Sequence, residues 1–93
     1  MKLTIVPVDN AVYKDNLCWS GLDLSTCGIP ADVHALQWYD TRGWIEFKEI
    51  DPFTPKPQNQ DITELPAWAE CCLEKWEEAN IPPPAPEPEL QPE

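Results

Sequence analysis

Glycine is scarce in this chain: Gly21, Gly28 and Gly43 are the three among 93 residues. A phosphate-cradling G-x-x-x-x-G-K loop is absent, and so few glycines cannot make a dinucleotide fingerprint, so nothing here supports nucleotide binding. Histidine is scarcer still. His34 stands alone with Asp32 as its one local polar companion, and its alternation with Val33 and Ala35 suits a strand residue better than a general base. Basic residues number six against seventeen acidic ones, giving a formal charge of −11. Lys2, Lys14, Arg42, Lys48, Lys56 and Lys75 are scattered, which leaves no counterion-release footprint for DNA or RNA and disfavours an anionic membrane. No apolar stretch approaches the roughly 20 residues that cross a bilayer. The run Met1–Val6 is too short for a secretion signal and is broken by Pro7, so the expectation is a protein that stays in the cytoplasm where it is made. No cofactor is implied, and the reading is of a chain that is not an enzyme.

What is present is a small domain with large aromatics. At 93 residues one domain is the prior, and a chain of this size buries only about 60% of its unfolded surface. Trp19, Trp38, Trp44, Trp68 and Trp76 offer the buried area that so short a chain otherwise lacks. The seventeen carboxylates read as a solvated surface that faces proteins rather than as a catalytic acid and base pair.

Cys18, Cys27, Cys71 and Cys72 lack the paired spacing of a zinc site. Without a secretion signal, reduced thiols acting as small buried hydrophobes are the first reading, and disulfides within the chain or to a partner are the second. Adjacent Cys71 and Cys72 on a helix point in different directions and should not bridge each other.

The apolar patterning changes period partway along the chain. Leu3–Val6 with Val8, then Ala11–Lys14, then Leu17–Trp19 are short β-prone runs separated by Asp9-Asn10 and Asp15-Asn16. A meander is expected, with no helix within Leu3–Val12. Ser20-Gly21 ends the third run, and Leu22–Pro30 reads as a connection crossing the domain, whose apolar members are candidates for burial. Val33–Trp38, the turn Asp40–Gly43 and Trp44–Lys48 give the clearest hairpin; on its second strand Trp44, Glu46 and Lys48 share one face, against Ile45 and Phe47. Pro52, Pro55 and Pro57 mark residues 51–60 as a loop, and Asp61–Leu65 as a short turn. From Pro66 to Ala79, Trp68, Ala69, Cys72 and Trp76 recur at helical spacing, with Thr63 or Asp61 as candidate caps.

The fold expected is therefore α+β: a small antiparallel sheet of hairpins from Leu3 to about Phe47, packed against one amphipathic helix. Val33, Leu36, Trp38, Trp44, Phe47, Trp68, Cys72 and Trp76 are the candidate core. Residues 1–79 form the domain, and 80–93, rich in proline and glutamate, are expected to be a disordered acidic tail or a peptide that docks in another protein's aromatic groove.

Three blocks carry a family likeness: Met1–Pro7 with Asn10–Tyr13; Ile29–Trp38 with Gly43–Phe47; and Ile62–Ala69. Together they resemble the amino-terminal domain of small tail-assembly-chaperone-like proteins of tailed phages, over roughly residues 1–79. The resemblance implies a tail or tail-fibre assembly factor that binds a fibre or baseplate protein in the host cytoplasm. Some such proteins stay in the particle as minor structural parts, which makes a permanent tail component the alternative, and an acidic inhibitor of a host protein is the third reading. Pro30, Asp32, Val33, Trp38, Trp44 and Phe47 carry over as fold-defining positions, with no catalytic residue among them. Longer relatives continue past the helix into an alanine-rich linker and a second assembly-chaperone segment, where this chain has its proline-rich run.

Overall fold

Chain reversals with left-handed backbone set the architecture. The computed structural model describes residues 1–80. Asp15 and Asn16 have φ of 50° and 75°, the two positive values that a tight two-residue hairpin turn requires, and they join β2 (Ala11–Lys14) to β3 (Leu17–Trp19). β1 (Lys2–Val6) reaches β2 through a single 3-10 turn at Pro7–Asp9, closed by Asn10 N–H donating to the Pro7 carbonyl at 3.0 Å. The expectation of no helical residues within Leu3–Val12 is corrected to that extent. Pro7 brings its preset φ to the turn, and Asn10 accepts a φ of 49° after it.

β4 (Val33–Tyr39) returns beside β1 and turns at Asp40-Thr41 into β5 (Arg42–Phe47). β6 (Gln60–Ile62) then adds to β5, and the six antiparallel strands lie in the order β3-β2-β1-β4-β5-β6. β6 corrects the reading of residues 51–65 as loop and turn alone: three residues that show no sequence alternation pair because β5 offers them an edge. Gly43 is needed on β5, since a Cβ there would strike the Gln37 carbonyl and come within 2.9 Å of Trp38 Cα.

Register sorts the side chains into two faces. On one, Leu3, Ile5, Val12, Leu36, Trp38 and Ile45 are buried. A bulge between Val33 and Ala35 leaves His34 exposed while Val33 joins that buried face opposite Phe47. α1 (Ala67–Asn80) lies over β1, β2 and β3 with Ala69, Cys72 and Trp76 buried, and its first bonds run from the Ala69 and Glu70 N–H groups to the Pro66 carbonyl. Leu24, from the 20–32 connection, completes the core with Leu22, Cys27 and Ile29 packed beside it.

Of the expected core, Val33, Leu36, Trp38, Cys72 and Trp76 are buried, and Phe47 and Trp68 pack partly buried against it. Trp44 is a correction. It lies half-buried on the opposite face with Glu46, the side that period-two alternation assigns it, and its indole N–H donates to Glu46 Oε2 at 2.8 Å. Two of the five tryptophans, Trp38 and Trp76, therefore supply buried core. The proline- and glutamate-rich run lies outside the described residues except for Asn80, which ends α1.

Candidate protein-binding surfaces

The first surface is the free edge of β3. Asp15 N–H donates to the Lys2 carbonyl at 2.9 Å, so along β2 the groups bonded to β1 alternate with those bonded to β3. Tyr13 opposes Cys18 in the pair without hydrogen bonds, which turns the Cys18 N–H and C=O outward. Its neighbours Leu17 and Trp19 are 49% and 39% exposed, large fractions for apolar side chains on an edge strand. The other edge strand, β6, carries a charged residue, Asp61, a common guard against strand addition. Leu17-Cys18-Trp19 has neither charge nor proline.

The second surface is the sheet face away from α1. One row of cross-strand neighbours spans all six strands: Cys18, Tyr13, Thr4, Gln37, Trp44 and Asp61. Thr4 Oγ1 donates to Gln37 Oε1 at 2.7 Å. In the adjoining row Lys2 Nζ sits 5.6 Å from the centroid of the Tyr39 ring, and Tyr39 stacks with Trp44 at 5.7 Å. A depression of about 320 Å³ lies among Lys2, Thr4, Tyr13, Gln37 and Tyr39, and a second of about 560 Å³ among Tyr39, Arg42, Trp44 and Asp61. They share Tyr39, so they read as one groove. At its β3 end the Cys18 side chain holds the Tyr13 hydroxyl above its usual pKa. At its β4 end the amino terminus is bonded to Asp40, whose carboxylate raises the ammonium's pKa.

A third feature is one side chain. Asp51 accepts from Phe53 N–H and from Thr54 Oγ1, each at 2.8 Å, and these bonds hold its carboxyl below the usual range, the Thr54 bond first. That turn presents Phe53 at 94% exposure.

The cysteines divide into a pair and two single thiols. Cys27, in the 20–32 connection, is disulfide-bonded to Cys71 of α1 across 44 residues, with Cα atoms 5.4 Å apart. Cys18 is free and exposed, and Cys72 is free and buried, its thiol pushed up to about 11 by that burial. Reduced thiols throughout, the first reading of the sequence, is thus corrected for Cys27 and Cys71. Neither spacing nor composition could show that the connection brings Cys27 over the helix. His34 and Asp32 are both exposed, and among the described residues no group of three or more His, Cys, Asp or Glu side chains is placed to hold a metal. No helix among them is long and apolar enough to cross a membrane.

Lys2, Thr4, Tyr13, Gln37 and Tyr39 were not foreseeable as a group. Alternation assigns each a face, but strand order is what brings β1, β2 and β4 together. Comparison of the chain with models of protein families, with curated proteins and with solved structures returns no match.

Proposed function

We propose that this chain is a non-enzymatic assembly factor of a tailed-phage tail or tail fibre, acting as a module that takes up an extended segment of a fibre or baseplate protein along β3. The observation that carries the binding mode is the uncharged β3 edge, whose Cys18 N–H and C=O point outward between exposed Leu17 and Trp19. An added strand gains affinity from main-chain bonds and selectivity from flanking side chains. The partner class rests on the resemblance of residues 1–79 to tail-assembly-chaperone-like proteins, and host cytoplasm during assembly follows from it. Phe53 is a candidate second anchor, since exposed aromatics dominate interface energetics.

Co-expression with the neighbouring fibre and baseplate proteins, followed by affinity purification, tests this. One of them should co-purify, and Cys18→Pro, which removes an outward N–H at a sheet edge where proline is tolerated, should weaken the complex by about tenfold. Failure of every such protein to co-purify, together with absence of the chain from purified particles, would leave an acidic inhibitor of a host protein as the account to pursue.

A second reading, a permanent minor component of the tail, is favoured by one observation. The Cys27–Cys71 disulfide suits a protein that persists in an oxidising medium, as a released particle does, rather than in a reducing cytoplasm. Stoichiometric recovery of the chain from purified particles by mass spectrometry distinguishes the two.

A further inference from the structure

β3 has little of its own to hold it. All three of its side chains are exposed, its outer edge is open, and the hydrogen-bonded register pairs Val12–Trp19 and Lys14–Leu17 join it to β2. Two indole bonds tie it to α1 as well: Trp76 Nε1 donates to the Leu17 carbonyl at 2.9 Å, and Trp19 Nε1 donates to Asn80 Oδ1 at 3.3 Å. The firmness of this edge therefore depends on how α1 is seated.

The connection that follows β3 is fixed to α1 by a covalent bond more than by its backbone. Leu22 N–H donates to the Asn10 carbonyl at 3.0 Å, and from there to Ile29 the one other main-chain to main-chain bond among the described residues is local, from Cys27 N–H to the Leu24 carbonyl at 3.1 Å. Leu24 is buried, Leu22, Cys27 and Ile29 pack partly buried, and the Cys27–Cys71 disulfide makes the covalent link to the helix. Gly21 and Gly28, with φ of 69° and 77° and open space where a Cβ would stand, bracket the segment and give it pivots. Both bridged cysteines are half-buried, within reach of a small reductant. Neighbouring Cys72 is buried with its thiol pushed up to about 11, so it supplies almost no thiolate to scramble the pair at neutral pH.

We propose that Cys27–Cys71 is a redox latch on the β3 edge: as a disulfide it holds the connection to α1 and keeps β3 in place, and as a dithiol it lets the connection swing and β3 fray. Opening takes a dithiol reductant. One of its thiolates attacks a sulfur of the bridge, forming a mixed disulfide and releasing the other cysteine as a thiolate that takes a proton. The second reductant thiol then displaces the remaining cysteine, so two electrons and two protons pass to the pair and the reductant closes as its own disulfide. Closing is the reverse exchange, with a small-molecule disulfide as oxidant. The consequence for binding rests on the reading of β3 as the capturing edge. A frayed strand must be ordered before another adds to it, so the reduced chain captures weakly and reversibly, and oxidation outside a reducing cytoplasm tightens the complex.

The full chain, isotopically labelled for nuclear magnetic resonance, tests the latch without any partner. Failure here leaves strand capture standing, and failure of every fibre or baseplate protein to co-purify leaves the latch standing. With the disulfide formed, backbone order parameters of Leu17–Trp19 should lie near the ~0.85 of rigid backbone, and in excess dithiothreitol they should fall below about 0.6. The Trp19 and Trp76 indole N–H signals should shift with them, while Leu36 of β4 and Ile45 of β5 stay unchanged. Oxidised glutathione should restore the first spectrum, and Cys27→Ser combined with Cys71→Ser should give the second with or without reductant. A β3 equally ordered in both redox states would overturn the proposal, since a disulfide that acts through the unfolded chain alone leaves the native strand untouched. Unfolding of the whole sheet on reduction would overturn it too, as would a double variant whose β3 stays ordered.

Discussion

Trp76 lies where three elements meet. Its ring is buried under α1, its indole N–H donates to the Leu17 carbonyl of β3 at 2.9 Å, and Lys14 Nζ of β2 lies 5.1 Å from its centroid while pairing with Glu77 at 3.4 Å. Trp76→Ala should therefore cost about 3–5 kcal/mol by urea unfolding, a cavity term plus the loss of the indole–carbonyl bond. A cost under about 1 kcal/mol would contradict this placement. Cys72, one turn earlier, gives a pH-dependent prediction. Burial raises its thiol from 9.0 to about 11, so the folded chain keeps a proton that the unfolded chain releases. The stabilisation is fully present below pH 9 and falls as pH rises from about 9 to about 11, by roughly 2–3 kcal/mol. Unfolding curves across that interval should show the decline in the unaltered chain and a shallower one in Cys72→Ala. At pH 8, iodoacetamide should modify exposed Cys18 in the native protein and spare Cys72 until the chain unfolds.

Between elements, the 20–32 connection and α1 are joined by chemistry as well as packing. Leu24 is buried in the core and Cys27 is bonded to Cys71, closing a loop of 44 residues. Constraining a loop of that length stabilises by about 2–4 kcal/mol, chiefly through the unfolded chain. Cys27→Ser should lower unfolding free energy by that amount under non-reducing conditions and leave stability unchanged when excess reductant is present for both proteins. The elements most legible in the sequence are those with sustained periodicity: the helix, found over Ala67–Asn80 against an expected Pro66–Ala79, and the hairpin Val33–Phe47. β6 was illegible because three residues cannot show a period, and Gln60 and Asp61 are poor strand formers that pair only where an edge already exists. Trp44 was misplaced because its hydrophobicity outweighed its phase, although the alternation with Ile45 and Phe47 already set it on the far face. The surfaces were less legible still. The groove depends on β1 pairing with both β2 and β4, a long-range choice that no local pattern announces.

For the whole molecule, charge and binding surface have separate roles. Seventeen carboxylates against six basic residues place a field of one sign around the protein, whereas the β3 edge offers backbone groups and uncharged side chains. Long-range attraction acts on the encounter with a basic partner and is screened within about 8–10 Å at physiological to moderate ionic strength. In the proposed strand capture the contacts made after docking, main-chain bonds at Cys18 and apolar burial at exposed Leu17 and Trp19, are short-range and feel salt little. The same acidity opposes pairing of two copies through their β3 edges. If the chain captures a strand of a fibre or baseplate protein as proposed, stopped-flow or surface-based kinetics between about 50 and 500 mM salt should show an association rate that falls by tenfold or more while dissociation changes less than about threefold. A dissociation rate that rises steeply with salt while association stays flat would place the energetics in exposed ion pairs, and the β3 edge would no longer be the contact that holds the complex.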